Sequence, residues 1–166
     1  MVPQALSRGR IIVPGTRHQL GTCGLFPPSA AQQRPVVAAG HIVEAKACVP
    51  GLLWLGFGEL CAVDVPAGAF KALASEHDLW VVDEVPRAGS GPSAVWRRFA
   101  EVLAELAVTD AALFLVAREV PEWFEAAETA AGPETREALL RIGNMLAALP
   151  LMQSAERPTL EGMSGS

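Results

Sequence analysis

Lysine is nearly missing from this chain: Lys46 and Lys71 are the only two in 166 residues, and neither stands in a glycine loop ahead of a helix. A P-loop needs Gly-x-x-x-x-Gly-Lys-Ser/Thr, because successive backbone N–H groups cradle the phosphates while the lysine reaches the terminal ones. No such stretch occurs. Nor is there a run of basic residues, and the net charge is -5. A general nucleic-acid binder, which needs a basic face to neutralise phosphates, is therefore not expected. No window holds the roughly eighteen uninterrupted apolar residues of a membrane span. Met1 to Arg10 lacks the apolar centre of a secretory signal, so a cytoplasmic location is the default expectation. Cysteine is scarce too. Cys23, Cys48 and Cys61 are odd in number and widely spaced, which suggests neither a disulfide framework nor a zinc knuckle. His18, His41 and His77 have no ligand-type spacing with one another or with the cysteines, so no metal site is expected. Gly-x-Ser-x-Gly is missing as well; Gly89-Ser90-Gly91 lies in a loop without the strand-to-helix frame of a serine hydrolase.

What is present suits one ordinary domain with a real core, since 51% of the residues are hydrophobic. Residues 1–39 are rich in Gly, Pro, Ser and Gln and read as a loosely ordered arm, with one short strand possible at Ile11-Ile12-Val13. From Val36 to Val49 and from Leu52 to Val65, short apolar runs broken by Gly and Pro suit two or three strands. Pro66 can open a helix carrying Phe70, Leu73 and Ala74. Leu79 to Val82 resumes the strand pattern and Pro86 closes it. The spacing of Val95, Phe99, Val102, Leu103 and Leu106 then predicts an amphipathic helix over about 93–107. Ala112 to Ala117 is an unbroken apolar run of strand length. Strand, helix and buried strand in that order describe a right-handed crossover between parallel strands, and the fold class is α/β. A short helix at 123–128 and an amphipathic one at 134–149 follow, and residues 151–166 are expected to be a disordered tail. The domain proper spans 40–150.

Leu79-Trp80-Val81-Val82-Asp83-Glu84 is the stretch that invites an enzyme reading. Four apolar residues before Asp-Glu is how the magnesium-binding, water-activating strand of a P-loop ATPase reads. Without a phosphate cradle those acids have no phosphate and no bridged metal to act on, and they are expected to cap a buried strand at its polar end. Trp80, Trp96 and Trp123 are expected in the core or at an interface. Arg97 and Arg98 are adjacent charges on the solvent side of the 93–107 helix, paired with Glu101.

The order of the later pieces resembles a family. Leu55-Gly56-Phe57-Gly58-Glu59-Leu60-Cys61 is similar to a Phe-x-Phe-x-Asp/Glu-Leu-Cys ending, and Ala67 to Ala74, with Phe70, resembles an Ala-Ala-Asp-Tyr-Leu-x-Ile-Ala helix. Asp83-Glu84-Val85-Pro86 takes the place of an Asp-x-Ile-Pro strand end, Arg97-Arg98-Phe99 that of an Arg-Arg-Phe helix start, and Arg141 with Met145 fits an Arg-Leu-x-Glu-Met helix. This succession, over about residues 40–150, resembles the C-terminal part of the ZapE cell-division ATPases, relatives of the mitochondrial Afg-type ATPases in the AAA+ class. Two departures stand out. Ala69 replaces the Asp before the helix aromatic, and Val102 to Val108 lacks both acids and the Tyr of a Leu-Ile-Asp-Ala-Leu-Tyr-Asp stretch.

The resemblance implies a small, mostly parallel sheet with flanking helices, and a protein partner: an ATPase or a division-type client. In that family the Gly-Lys loop and the magnesium strand precede the region matched here, so no catalytic residue carries over. The chain is then expected to be a non-hydrolysing interaction or regulatory module. ATP and magnesium would enter only if a partner supplied the P-loop, with Arg97, Arg98 or Arg141 reaching the nucleotide in trans. An adaptor or immunity-type binding protein that reached this pattern independently is the other alternative.

Overall fold

A computed structural model of the chain describes residues 5–61 and 65–154. Its centre is a six-stranded sheet. Strand β1 (Gly9–Val13) leads into helix α1 (Arg17–Thr22) and, past a 3-10 turn at Ala30–Gln32, into the hairpin β2 (Arg34–Ala38) and β3 (His41–Ala45). Then come β4 (Ala47–Val49), β5 (Leu52–Gly56), helix α2 (Phe57–Leu60), helix α3 (Phe70–Glu76) and β6 (Leu79–Val85). Helix α4 (Ser93–Thr109), β7 (Ala112–Ala117), α5 (Trp123–Glu128), α6 (Pro133–Leu146) and β8 (Leu151–Gln153) complete the chain. The sheet order is β4-β5-β6-β7-β1-β8, with only β4 antiparallel to its neighbour, while β2 and β3 pair separately.

The α/β class and the crossover expected from the sequence are present: β6 and β7 pair in parallel across α4. Helix α4 runs two residues past the expected end. Asp110 stops it in the left-handed conformation, φ 58°, which a short polar side chain tolerates, and the Asp110 N–H closes onto the Ala107 and Leu106 carbonyls.

The loosely ordered arm expected over residues 1–39 is not what residues 9–38 form. Strand β1 is an interior strand, with β7 on one side and β8 on the other. Gly9 makes that possible: at φ +127° and against the Leu113 backbone, any Cβ would run into the Leu113 carbonyl. Residues 151–153, assigned to the tail, form β8 beside β1; the rest of that expected tail, from 155, lies outside the described residues.

Alternation along the strands gives the sheet two unequal faces. The back face, with Leu53, Leu55, Trp80, Val82, Leu113, Leu115, Ile11 and Val13, packs on α3, α4, α5 and α6 and holds most of the core. At its heart Phe57, Trp96, Phe99 and Trp123 meet with ring centroids 5.0–6.4 Å apart. Each such pair adds about 0.5–1.5 kcal/mol beyond its area burial. The front face is thinner. Among the described residues Ile12, Ala47, Trp54, Val81 and Val116 are covered from off the sheet by Leu20 of α1, Cys23 and Leu25.

Candidate functional site

Adjacent strands β1 and β7 send their C-terminal ends to opposite faces. Strand β1 turns into α1 on the front, and β7 leads to α5 and α6 on the back. In an open α/β sheet that reversal leaves a crevice outside the strand ends, the usual place for a ligand. Here the crevice has a volume of about 270 Å³ and is lined by Pro14, Gly15, Trp54, Glu84, Val116 and Arg118 among others. Asp83 also borders it, so the acid pair singled out in the sequence stands at the switch point of the sheet.

The contents of the corner are unlike those of a phosphate site. A strand-loop-helix turn binds anions when its backbone N–H groups are left free. After β1, the Gly15 and Thr16 N–H groups donate to Gln19 Oε1 at 2.9 and 3.0 Å, and the Gln19 N–H donates to Thr16 Oγ1 at 3.1 Å. Gln19 Nε2 in turn donates to the Val13 carbonyl at 2.7 Å. Thr16 and Gln19 are both buried. This reciprocal capping box satisfies, with the chain's own side chains, donors that a phosphate would otherwise take. Gly15 fits its place at φ +87° because a Cβ there would collide with Val116.

The acids are equally engaged. Lys46, between β3 and β4, places Nζ 3.0 Å from both Asp83 oxygens and 2.9 Å from Glu84 Oε2. Trp54 Nε1 donates to Asp83 Oδ2 at 2.8 Å. Glu84 adopts φ 57°, a conformation that non-glycine residues seldom take. Partial burial opposes the charge on Lys46, but the hydrogen bonds and charges of Glu84 and Asp83 outweigh it, and the ammonium is held above its ordinary 10.5. The ammonium thus sits where a divalent cation bridging the two carboxylates would have to sit. The Gly15 and Thr16 N–H groups are taken by Gln19 and both acids are paired with Lys46, although the buried Asp83 Oδ1 has no hydrogen-bond donor of its own. Among the described residues no group of three or more His, Cys, Asp or Glu is placed to hold a metal.

The sequence singled out Asp83 but missed its partners. Lys46 lies 37 residues away, and Trp54 pairs with Val81 two positions earlier on β6. Only the strand pairing brings them together. Asp83 does more than end a strand: it lies inside β6 and ties it to β5 through Trp54 and to the bend between β3 and β4 through Lys46.

The three arginines are not brought to one place. Arg97 and Arg141 line a groove between α4 and α6 with Glu101, Glu134 and Glu137, and Arg97 Nη1 lies 3.5 Å from Glu134. Arg98 departs from the expected solvent position. Its side chain is only 17% exposed, reaches Glu101 at 3.9 Å, and lies close enough to Cys61 to act on its thiol. Phe57, Leu60, Cys61, Phe70 and Phe99 are core residues. Glu59 is exposed, and Pro86 borders a separate hollow with Arg87 and Glu119.

No family model matches the chain, and neither a curated protein nor a solved structure does. Among the described residues no helix is long and apolar enough to cross a membrane.

Proposed function

We propose that this chain is a non-hydrolysing interaction or regulatory module, built on an α/β sheet of the kind the ZapE resemblance implies. The observation that carries the reading is the Lys46 ammonium seated between Asp83 and Glu84. A sheet whose acids at the switch point are held by its own lysine, and whose corner N–H groups are capped by its own glutamine, has spent on rigidity the groups a ligand would use. What such a scaffold retains is surface, and the partner in this reading is an ATPase or one of its client proteins.

Magnesium-dependent ATP turnover tests the reading directly. The purified chain is expected to show none above a buffer blank. Turnover that Asp83→Ala abolishes would overturn it.

A further inference from the structure

Parallel strands are found almost always with both faces covered, because their crossovers lay helices on the sheet and their side chains are apolar on both sides. This sheet breaks that rule on its front face. Helix α1 and Leu25 shield Trp54, Val81 and Ile12, toward the C-terminal ends of the strands. Among the described residues the lower half has no cover. Leu52, Leu79 and Phe114 are only partly buried there, and Val49 is 44% exposed. The strand register joins them: Val49 pairs with Leu52, Leu52 with Leu79, and Val81, two residues on from Leu79, with Phe114. Phe114 is the one residue of the interior strand β7 that is not buried.

Beside this apolar patch stands a cation. Arg10 pairs with Phe114 across β1 and β7 and shares its face with Ile12. It is half-buried, and among the described residues its side chain makes no hydrogen bond or ion pair. Arg8, two positions earlier, is exposed and donates Nη1 to the Asp110 carbonyl at 2.9 Å, near the same edge. The wider charge distribution points the same way. Residues 1–50 carry five Lys and Arg against Glu44 alone, whereas the rest of the chain carries eight Lys and Arg against seventeen Asp and Glu. Strand β1 and helix α1 belong to the basic portion. The long helices α4 and α6, on the back, belong to the acidic one.

We infer that the lower front face is a docking surface for an amphipathic α-helix of a partner protein, with an apolar stripe flanked by acidic residues. The stripe would lie over Leu52, Leu79 and Phe114, and a flanking carboxylate would pair with Arg10. A helix is the occupant because that is the element that covers a parallel sheet, and an acidic flank because the cation beside the patch has no counter-charge among the described residues. The inference rests on the interaction-module reading and gives that partner its chemistry.

Two synthetic amphipathic helical peptides test it, sharing one leucine stripe and differing only in Glu or Lys flanks. Each is titrated against the full chain by fluorescence anisotropy at low salt. The Glu-flanked peptide is expected to bind and the Lys-flanked one to bind at least about fivefold more weakly, the range of a partly exposed ion pair. R10E should reverse that preference, and Phe114→Glu should weaken both peptides by about thirtyfold, as for a central apolar contact. R10E alters a half-buried residue that makes no ion pair with the described residues, so it keeps the test alive should Phe114→Glu fail to fold. No binding by either peptide, or equal binding of both with no response to R10E, overturns the inference. So does a dimer in sedimentation equilibrium that R10E or Phe114→Glu dissolves, because a second copy would then be the occupant. ATP turnover is measured separately, so failure at this face is distinguishable from failure of the non-hydrolysing reading.

Discussion

Lys46 changes what Asp83 and Glu84 are. Two adjacent acids at the end of an apolar strand can be a magnesium site or a strand terminus, and the missing phosphate loop already favours the terminus. The cation that holds them in place comes from a strand-pairing register no local pattern announces. Lys46→Ala leaves Asp83, 17% exposed, with Trp54 as its remaining close partner. Loss of about 1–3 kcal/mol is expected, the range for a poorly exposed group deprived of its counter-charge. Urea unfolding measures it, and Lys46→Ala in an Asp83→Asn background should cost distinctly less. Cys61 supplies a second prediction. Burial pushes its thiol from an ordinary 9.0 up to about 12, against a smaller opposing effect of Arg98. The folded state holds that proton more tightly than the unfolded chain. Its contribution is therefore fully present below pH 9 and is lost as pH rises toward 12. Lys46, also raised, acts with the same sign above its ordinary 10.5. Stability should fall more steeply from pH 8 to 10.5 in the native chain than in Cys61→Ala, read from urea midpoints. In the folded protein at pH 8, Cys61 should also resist iodoacetamide longer than the half-exposed Cys23 and Cys48.

At the scale of the element, the pieces legible in the sequence were those with a strong period or a long apolar run. Helix α4 carries its stripe over about three turns, and β6 and β7 are apolar on both faces, as interior parallel strands are. Strand β1 was legible only as a possible short strand inside a loose arm, because its buried part is just Ile11-Ile12-Val13, between Arg10 and Pro14, in a stretch rich in turn formers. Its place comes from pairing with residues more than a hundred positions away. Strand β8, with three residues, offers even less local signal. A chain starting at residue 40 therefore tests which description of the N-terminal segment is right. A dispensable arm would leave residues 40–154 folded. Removal of an interior strand exposes the unpaired edges of β7 and β8, and the shortened chain is expected to lose cooperative urea unfolding and near-ultraviolet circular dichroism. Gly9→Ala probes the same strand more gently. Forcing a Cβ against the Leu113 carbonyl at a positive φ should cost about 2–4 kcal/mol.

On the scale of the whole molecule, stability should be distributed as unevenly as the packing. The back of the sheet carries the five helices α2 to α6, the tryptophan-phenylalanine cluster and most of the buried side chains, including Trp80, Trp96, Phe70 and Phe99, all fully buried. The front carries one six-residue helix and a small cluster centred on Ile12, Trp54 and Val81. A helix of that length has no stability of its own, so α1 stays in place through Leu20 and the capping box of Thr16 and Gln19. Local opening follows the number of buried apolar contacts that must be broken. Native-state hydrogen exchange should therefore show α1 and residues 23–33 exchanging through a low-energy opening, well before β6, β7 and α4, which should exchange only on global unfolding. Gln19→Ala removes three of the capping-corner hydrogen bonds and should bring that opening down by about 1–2 kcal/mol with little change in α4. Equal protection of the two sides would mean that the front cover is held by more than these contacts. A helix docked below α1 should raise protection on the front alone, because the strands beneath it are already anchored from the back.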